Sequence, residues 1–301
     1  MITYIGSSLF GSPAQVLVNT VNTEGVMGKG LALQFRKIFP EMFTEYQALC
    51  EKGKIDIGKL WIYKSPHKWV MNFPTKRSWR QPSRIDYIDI GLRKFVDEFG
   101  DLKIHSIAFP ALGCGNGELD WAEVKPLMES YLRVVPADIF IHPPMPSEDL
   151  PEHRSQKEIA KWLRSEPRTL AFSEVWSDLK RVLAKRSQFY TSSKTFSARI
   201  NDVERALEVE TESRVYRIEY DDLQEVWSRF RAHGYLRRGI VTNAVQKVLY
   251  YIIPVLAELD YVDRIELSEN DAFSDSGTGK PLSGLQYIAP SQGAVQPSLF
   301  L

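Results

Sequence analysis

Val18-Asn19-Thr20-Val21-Asn22-Thr23-Glu24-Gly25-Val26-Met27-Gly28-Lys29-Gly30-Leu31-Ala32 is the stretch on which the reading of this chain turns. It passes from an apolar run of buried-strand type, through a polar glycine-rich turn, into an amphipathic helical pattern. Backbone N–H groups at such a junction meet the positive end of a helix and make an anion site. Glycine lets the backbone approach an oxyanion without a Cβ in the way. The stretch is a candidate diphosphate cradle, and an ordinary strand-to-helix turn is the alternative. It is not a P-loop, because no Gly-Lys-Ser/Thr ending supplies a Mg²⁺ ligand, and it lacks the GxGxxG spacing of dinucleotide folds.

Outward from this stretch, residues 2–10 and 15–21 read as strands. Residues 30–51 read as a helix that Pro40 breaks or restarts. Short strands follow at 60–63 and 69–73, a helix opens at Pro82-Ser83, and 106–110 is a buried strand. That strand runs into a second glycine loop, Gly113-Cys114-Gly115-Asn116-Gly117, followed by a helix at 121–133 and a last strand at 137–142. Strands alternating with helices predict an α/β layer fold with both glycine loops at the carboxyl ends of strands, where such folds bind ligands.

Four prolines within 143–151 mark a linker, placed at 146–156, after a first domain of 1–145. Residues 157–267 read as a smaller α+β domain: helical over 157–185 with an interruption near Pro167, β-rich over 203–218, and helical again over 223–233 and 241–259. In 268–301, thirteen of 34 residues are Gly, Ser or Pro, which predicts a flexible tail. Lys+Arg and Asp+Glu both number 38, so overall charge points to no class of partner. Locally, residues 153–199 carry a net of +7 and residues 201–225 a net of −6. No secretion signal or membrane span is expected, and two distant cysteines suggest a reduced, cytoplasmic protein. No metal is implied, because the five His and two Cys lack ligand spacing.

Asn19, Asn22, Gly25 and Met27-Gly28-Lys29-Gly30, with the second loop and the Leu119-Asp120-Trp121 that follows it, resemble the ADP-ribose-binding loops of macrodomains. The resemblance covers about the first 145 residues and implies a three-layer fold with a mixed central sheet. Asn72-Phe73-Pro74-Thr75-Lys76-Arg77-Ser78-Trp79-Arg80 is similar to the strand end that carries the catalytic lysine in the lysine-dependent ADP-ribosyl glycohydrolase branch, specifically in antitoxins of the DarT/DarG type. That likeness implies removal of ADP-ribose from DNA bases, with thymine the expected base, and it implies no cofactor. It assigns ADP-ribose contacts to Ser8, Leu9, Asn22, Met27, Gly28, Lys29, Gly30, Leu31, Thr75, Gly113, Cys114, Gly115, Asn116, Gly117 and His142. Asn22 would face the distal ribose, Ser8 and Leu9 would lie near adenine, and His142 would stack.

Lys76 is the candidate catalytic residue. An amine attacks the anomeric carbon only when deprotonated, and Arg77 together with partial desolvation is expected to favour that form. A phosphate contact is the alternative role for Lys76. Some lysine-dependent relatives carry an acid in the second loop where Gly117 stands here. Glu118 and Asp120 are close but displaced, so either one substitutes or the mechanism is less covalent. Cys114 reads as loop filler.

Around Lys76, the interleaved Lys64, Lys68, Trp69, Arg77, Trp79, Arg80 and Arg84 suggest a DNA-binding edge. Arg77, Trp79, Arg80 and Arg84 are the expected contacts, with Trp79 on a base and Trp69 in the core. The acidic run 202–225 could mimic DNA, so that 157–267 would block a DarT-like toxin. Gln296-Pro297-Ser298-Leu299-Phe300 resembles a sliding-clamp docking peptide, with Gln296, Leu299 and Phe300 as anchors. The competing readings are a macrodomain that only binds ADP-ribose and a glycohydrolase acting on modified protein.

Overall fold

The computed structural model describes residues 1–144, 151–191, 194–267 and 282–288. They fall into two compact units, Met1–Ala160 and Lys161–Leu301.

In the first unit, β1 (Ile2–Tyr4), β2 (Val16–Val21), α1 (Gly30–Ile38), α2 (Pro40–Glu51), β3 (Trp61–Lys64), β4 (Trp69–Pro74), α3 (Ile85–Leu102), β5 (Ser106–Pro110), α4 (Trp121–Leu132) and β6 (Asp138–His142) follow in chain order. The strands form one six-stranded sheet in the order β1-β6-β5-β2-β4-β3. All neighbours are parallel except β3 and β4, which run antiparallel, so the sheet is mixed.

Period-2 alternation supplies both faces of the sheet. Val16 and Val18 of β2, Met71 and Phe73 of β4, and Ile107 and Phe109 of β5 pack with Ile88, Leu92, Phe95, Val124 and Met128 of α3 and α4. Leu17, Val70 and Ala108 point the other way, to Phe35, Met42, Phe43 and Tyr46 of α1 and α2. The result is the expected three-layer α/β/α arrangement. Pro40 does end one helix and begin another: it sits at the first turn of α2, where its missing N–H leaves no bond unmade. The Asp120 carboxylate starts α4 by accepting the Ala122 N–H at 2.8 Å.

The first strand is shorter than the sequence suggested. It ends at Tyr4, and Leu9–Gly11 forms a 3₁₀ turn, which leaves Ser8 and Leu9 in the connection to β2. Residues 151–160, placed by sequence partly in a linker, belong to the first unit and include a 3₁₀ turn at Glu152–Arg154.

The second unit contains the second half of α5 (Gln156–Ser165), then α6 (Phe172–Leu183), β7 (Gln188–Tyr190), β8 (Thr195–Asn201), β9 (Ala206–Glu210), β10 (Val215–Glu219), α7 (Tyr220–His233), β11 (Tyr235–Leu236), α8 (Asn243–Gln246), α9 (Leu249–Leu256), β12 (Val262–Leu267) and β13 (Leu282–Tyr287). Two antiparallel sheets, β10-β9-β8-β7 and β11-β13-β12, make it α+β. Its buried charge is shared: Arg164 bonds Asp178 at 2.7 Å, and the Tyr261 hydroxyl donates to Asp178 at 2.9 Å. In the stretch expected to be a flexible tail, β13 pairs with both of its neighbours. Gln296, Leu299 and Phe300 lie outside the described residues. No helix among the described residues is long and apolar enough to cross a membrane.

Candidate active site

The parallel strands place four chemistry-bearing segments at one edge of the sheet. The first loop follows β2, Lys76 follows β4, the second loop follows β5, and His142 ends β6. The chain leaves β2 for β4 on one side and then crosses to β5 on the other. The crevice between the carboxyl ends of β2 and β5 is therefore the point where strand order reverses, the place open α/β sheets bind ligands.

The first loop is built from inside. Asn22 Nδ2 donates to the Val26 carbonyl at 2.6 Å, and Asn22 Oδ1 accepts the Glu24 and Val26 N–H groups at 3.0 and 3.3 Å. From α2, the Tyr46 hydroxyl donates to the Asn22 carbonyl at 2.5 Å and Gln47 Nε2 to the Gly25 carbonyl at 3.2 Å. The loop is tied to the segment after β4 by the Thr23 N–H on the Arg77 carbonyl at 3.1 Å. The Ser78 hydroxyl also donates to Glu24 at 2.9 Å. The second loop is tied there through the Ser83 N–H on the Gly117 carbonyl at 2.9 Å. The two loops meet at Gly30, which has φ +56°, and a Cβ there would lie 2.3 Å from Asn116 Nδ2. Gly28, Lys29 and Gly30 thus present backbone at the start of α1 with the second loop against them, in the form of a clamp.

Lys76 is 6% exposed, and its Nζ donates to Glu152 Oε2 at 3.0 Å. Glu152 is 4% exposed. Burial pushes its carboxyl above the usual carboxylate range, against the charges of Lys76 and Lys29 and a hydrogen bond from the Lys29 backbone N–H. The turn that carries Glu152 is strapped to the second loop: His153 Nε2 lies 2.6 Å from one Glu118 oxygen, and Arg154 is 2.6 Å from the other.

Several expected roles change. Asn22 spends its side chain on holding the loop, not on facing a ribose. Leu9 and Met27 are core residues, 5% and 0% exposed, so they reach a ligand through backbone at most. His142 is 5% exposed with Nδ1 against the Ser7 carbonyl at 2.8 Å, which buries the ring expected to stack. Thr75 is buried and accepts the Ser83 hydroxyl at 3.2 Å. Ser8 is exposed, Gly113, Cys114 and Gly115 lie in the second loop, and Leu31 lies in the first turn of α1. Burial pushes the Cys114 thiol up to about 12, in keeping with a filler.

Of the two tryptophans, Trp69 packs against the core as expected, and Trp79 departs from its expected place. Trp79 is wholly buried, so it cannot be a base platform, whereas Trp69 is half-buried with the Lys64 amine 4.3 Å from its ring centre. Arg80 stacks on Trp79 at 4.2 Å. Arg77 and Arg84 are exposed but pair with Asp56 and Asp86 at 2.7 and 2.9 Å. The charge touching Lys76 is therefore the Glu152 carboxylate, where the sequence suggested Arg77. Glu152 was missed because its only sequence context is a proline-rich linker, which carries no spacing signal.

A family model for the macro domain matches residues 18–128, the span from β2 through the second loop into α4. DNA ADP-ribosyl glycohydrolases of Mycobacterium tuberculosis and Thermus aquaticus are 45% and 40% identical to this chain over 149 and 150 residues. The first unit has the macrodomain fold. In both comparisons the match covers 48% of this chain and 42% of the relative, so the chain spans less than half the length of those relatives. The solved macrodomain of Mycobacterium tuberculosis DarG is 44% identical and is covered to 99%, over 48% of this chain, with a TM-score of 0.47. Both glycine loops and Lys76 lie within the span that the family model matches. Among the described residues no group of three His, Cys, Asp or Glu is placed to hold a metal.

Proposed function

We propose that the macrodomain is a glycohydrolase that removes ADP-ribose from a modified DNA base, thymine being the base expected, with Lys76 as the nucleophile. The observation that carries the reading is a lysine buried at the carboxyl end of β4, beside a two-loop clamp suited to a diphosphate. Backbone N–H groups at the start of α1 would hold the diphosphate. The distal ribose would then lie toward Lys76, whose amine can attack the anomeric carbon and form a glycosyl-lysine that water hydrolyses. The relatives named DNA ADP-ribosyl glycohydrolases support the substrate class.

The same reading makes residues 157–267 the part that neutralises a DarT-like ADP-ribosyltransferase in the cytoplasm. A relative from Thermosipho africanus that is named as a transferase–glycohydrolase fusion, 36% identical over 163 residues, supports such a pairing. The acidic run is partly neutralised, since Glu204 and Glu219 pair with Arg217 and Glu208 with Arg199. Asp222 is nonetheless held above the usual carboxylate range, by burial and by Glu219, Glu225 and Asp221 around it. Repulsion of that kind suits a surface that meets a basic groove. For the tail, a peptide of residues 290–301 should bind the replication clamp through Gln296, Leu299 and Phe300.

The decisive experiment incubates the intact chain and its Lys76→Ala form with an oligonucleotide bearing ADP-ribose on thymine or guanine. Loss of release with retained ADP-ribose binding supports the reading. Release at the unaltered rate refutes it.

A further inference from the structure

We propose that Glu152 is the acid–base partner of Lys76, supplied by the turn after β6 and not by the second glycine loop; this rests on the lysine reading above. Three observations carry it. First, the second loop cannot place an acid at position 117. A Cβ there would stand 2.2 Å from Ser83 Oγ and 2.3 Å from the Gly113 carbonyl oxygen, the latter a backbone atom that cannot step aside cheaply.

Second, the other nearby carboxylates are committed elsewhere. Glu118 is held by His153 and Arg154, Asp120 caps α4, and Glu24 accepts from Ser78 and the Trp79 N–H. Third, Glu152 Oε2 lies 3.0 Å from Lys76 Nζ with both side chains nine-tenths or more buried. The charged groups facing the carboxylate are Lys76 at the end of β4 and Lys29 before α1, with the Tyr46 hydroxyl on α2.

Burial raises the Glu152 carboxyl above its ordinary range, which suits it to accept and hold a proton beside the Lys76 nitrogen. The step then balances. The Lys76 ammonium gives one proton to Glu152, and its free electron pair attacks the anomeric carbon. The carbon–base bond breaks, and its electron pair leaves on the base nitrogen. Glu152 protonates that nitrogen and then takes the proton that the new secondary ammonium must lose. To finish, Glu152 returns a proton to the lysine nitrogen while taking one from water, whose oxygen bonds to the anomeric carbon as Lys76 departs. The net change is one water consumed, with free base and ADP-ribose released.

The test compares single-turnover release from the ADP-ribosylated oligonucleotide, across pH, for the intact chain and its E152Q, E152D and K76A variants, with free ADP-ribose binding measured for each. We expect E152Q to lose on the order of 10²-fold in rate while still binding ADP-ribose. The original bell-shaped profile should become a rate that only rises with pH. E152D should keep the bell and fall between the two, and it alone decides the question if E152Q does not fold.

A merely structural role leaves the bell in place in E152Q and overturns the proposal. So does E152Q release at or above the original rate with tighter ADP-ribose binding, which would mean that the carboxylate only fills the cradle. Either result with K76A inactive removes this inference and leaves the lysine reading standing. An active K76A removes both.

Discussion

Replacing Gly30 by alanine tests whether the two glycine loops form one clamp. Two penalties arise at that position, and they are separable. The backbone has φ +56°, a left-handed conformation that costs a residue with a Cβ about 1 to 2 kcal/mol. The added carbon would also stand 2.3 Å from Asn116 Nδ2, which no real contact allows, so either Asn116 or the start of α1 must move. Asn116 sits on the second loop, so relief of the clash is transmitted from one loop to the other.

If the free variant relieves the strain by leaving the left-handed conformation and ADP-ribose binding restores it, affinity should fall by roughly 5- to 30-fold, and the transmitted shift should enlarge the loss. Calorimetric titration of ADP-ribose into Gly30→Ala, Asn116→Gly and the double variant resolves the two. Removing the Asn116 side chain should restore the part due to the clash and leave the part due to φ. A coupling of about 1 kcal/mol or more between the positions is expected for groups in contact. Unchanged affinity in Gly30→Ala, or strict additivity in the double variant, would refute the clamp.

Three further outcomes follow from the same geometry. Trp79→Ala should destabilise the protein by about 3 to 5 kcal/mol in urea unfolding, because the ring is wholly buried; a stable variant with weakened DNA binding would return Trp79 to the DNA edge. At pH 8, Cys114 should react with iodoacetamide on the order of 10³-fold more slowly than a free thiol, since burial holds it up to about 12; rapid alkylation would contradict its role as filler. Burial acts to raise the Glu118 carboxyl, but the His153 hydrogen bond and Arg154 hold it below its ordinary range. Its stabilising contribution is therefore present above the unfolded carboxylate pKa and is lost as pH falls through the depressed folded value. Hydrogen-exchange protection over residues 152–156 should drop below about pH 4. In Glu118→Gln it should already be reduced at pH 6, and equal protection in the two forms would dismiss the strap.

How far the sequence reveals this arrangement depends on the kind of signal each part carries. The layers were legible, because alternation in β2, β4 and β5 and helical spacing in α1 to α4 are local patterns repeated over many residues. The glycine loops were legible for a related reason: a backbone that must come close to another group excludes side chains, and Gly30 and Gly117 record that exclusion directly in the chain. Burial of single aromatic residues was not. Trp69 and Trp79 lie in the same cationic stretch with similar neighbours, and only tertiary packing buries Trp79 fully while Trp69 packs at the margin of the core.

Glu152 shows the sharper limit. A charged residue among prolines is ordinarily read as solvated linker, since burying a carboxylate without a partner is costly. Its partner is Lys76, 76 positions earlier, and no periodicity or spacing links the two. What makes the burial tolerable is the combination of the Lys76 amine, the Lys29 backbone N–H and the strap through Glu118, drawn from three separate loops. Because each contribution is non-local, each is silent in the sequence, and the residue hydrogen-bonded to Lys76 is the one the sequence conceals. The same non-locality explains why Asn22 was placed against a ligand: its type suits that role, but its hydrogen bonds to Val26 and Glu24 are fixed by a turn whose exact path only the fold determines.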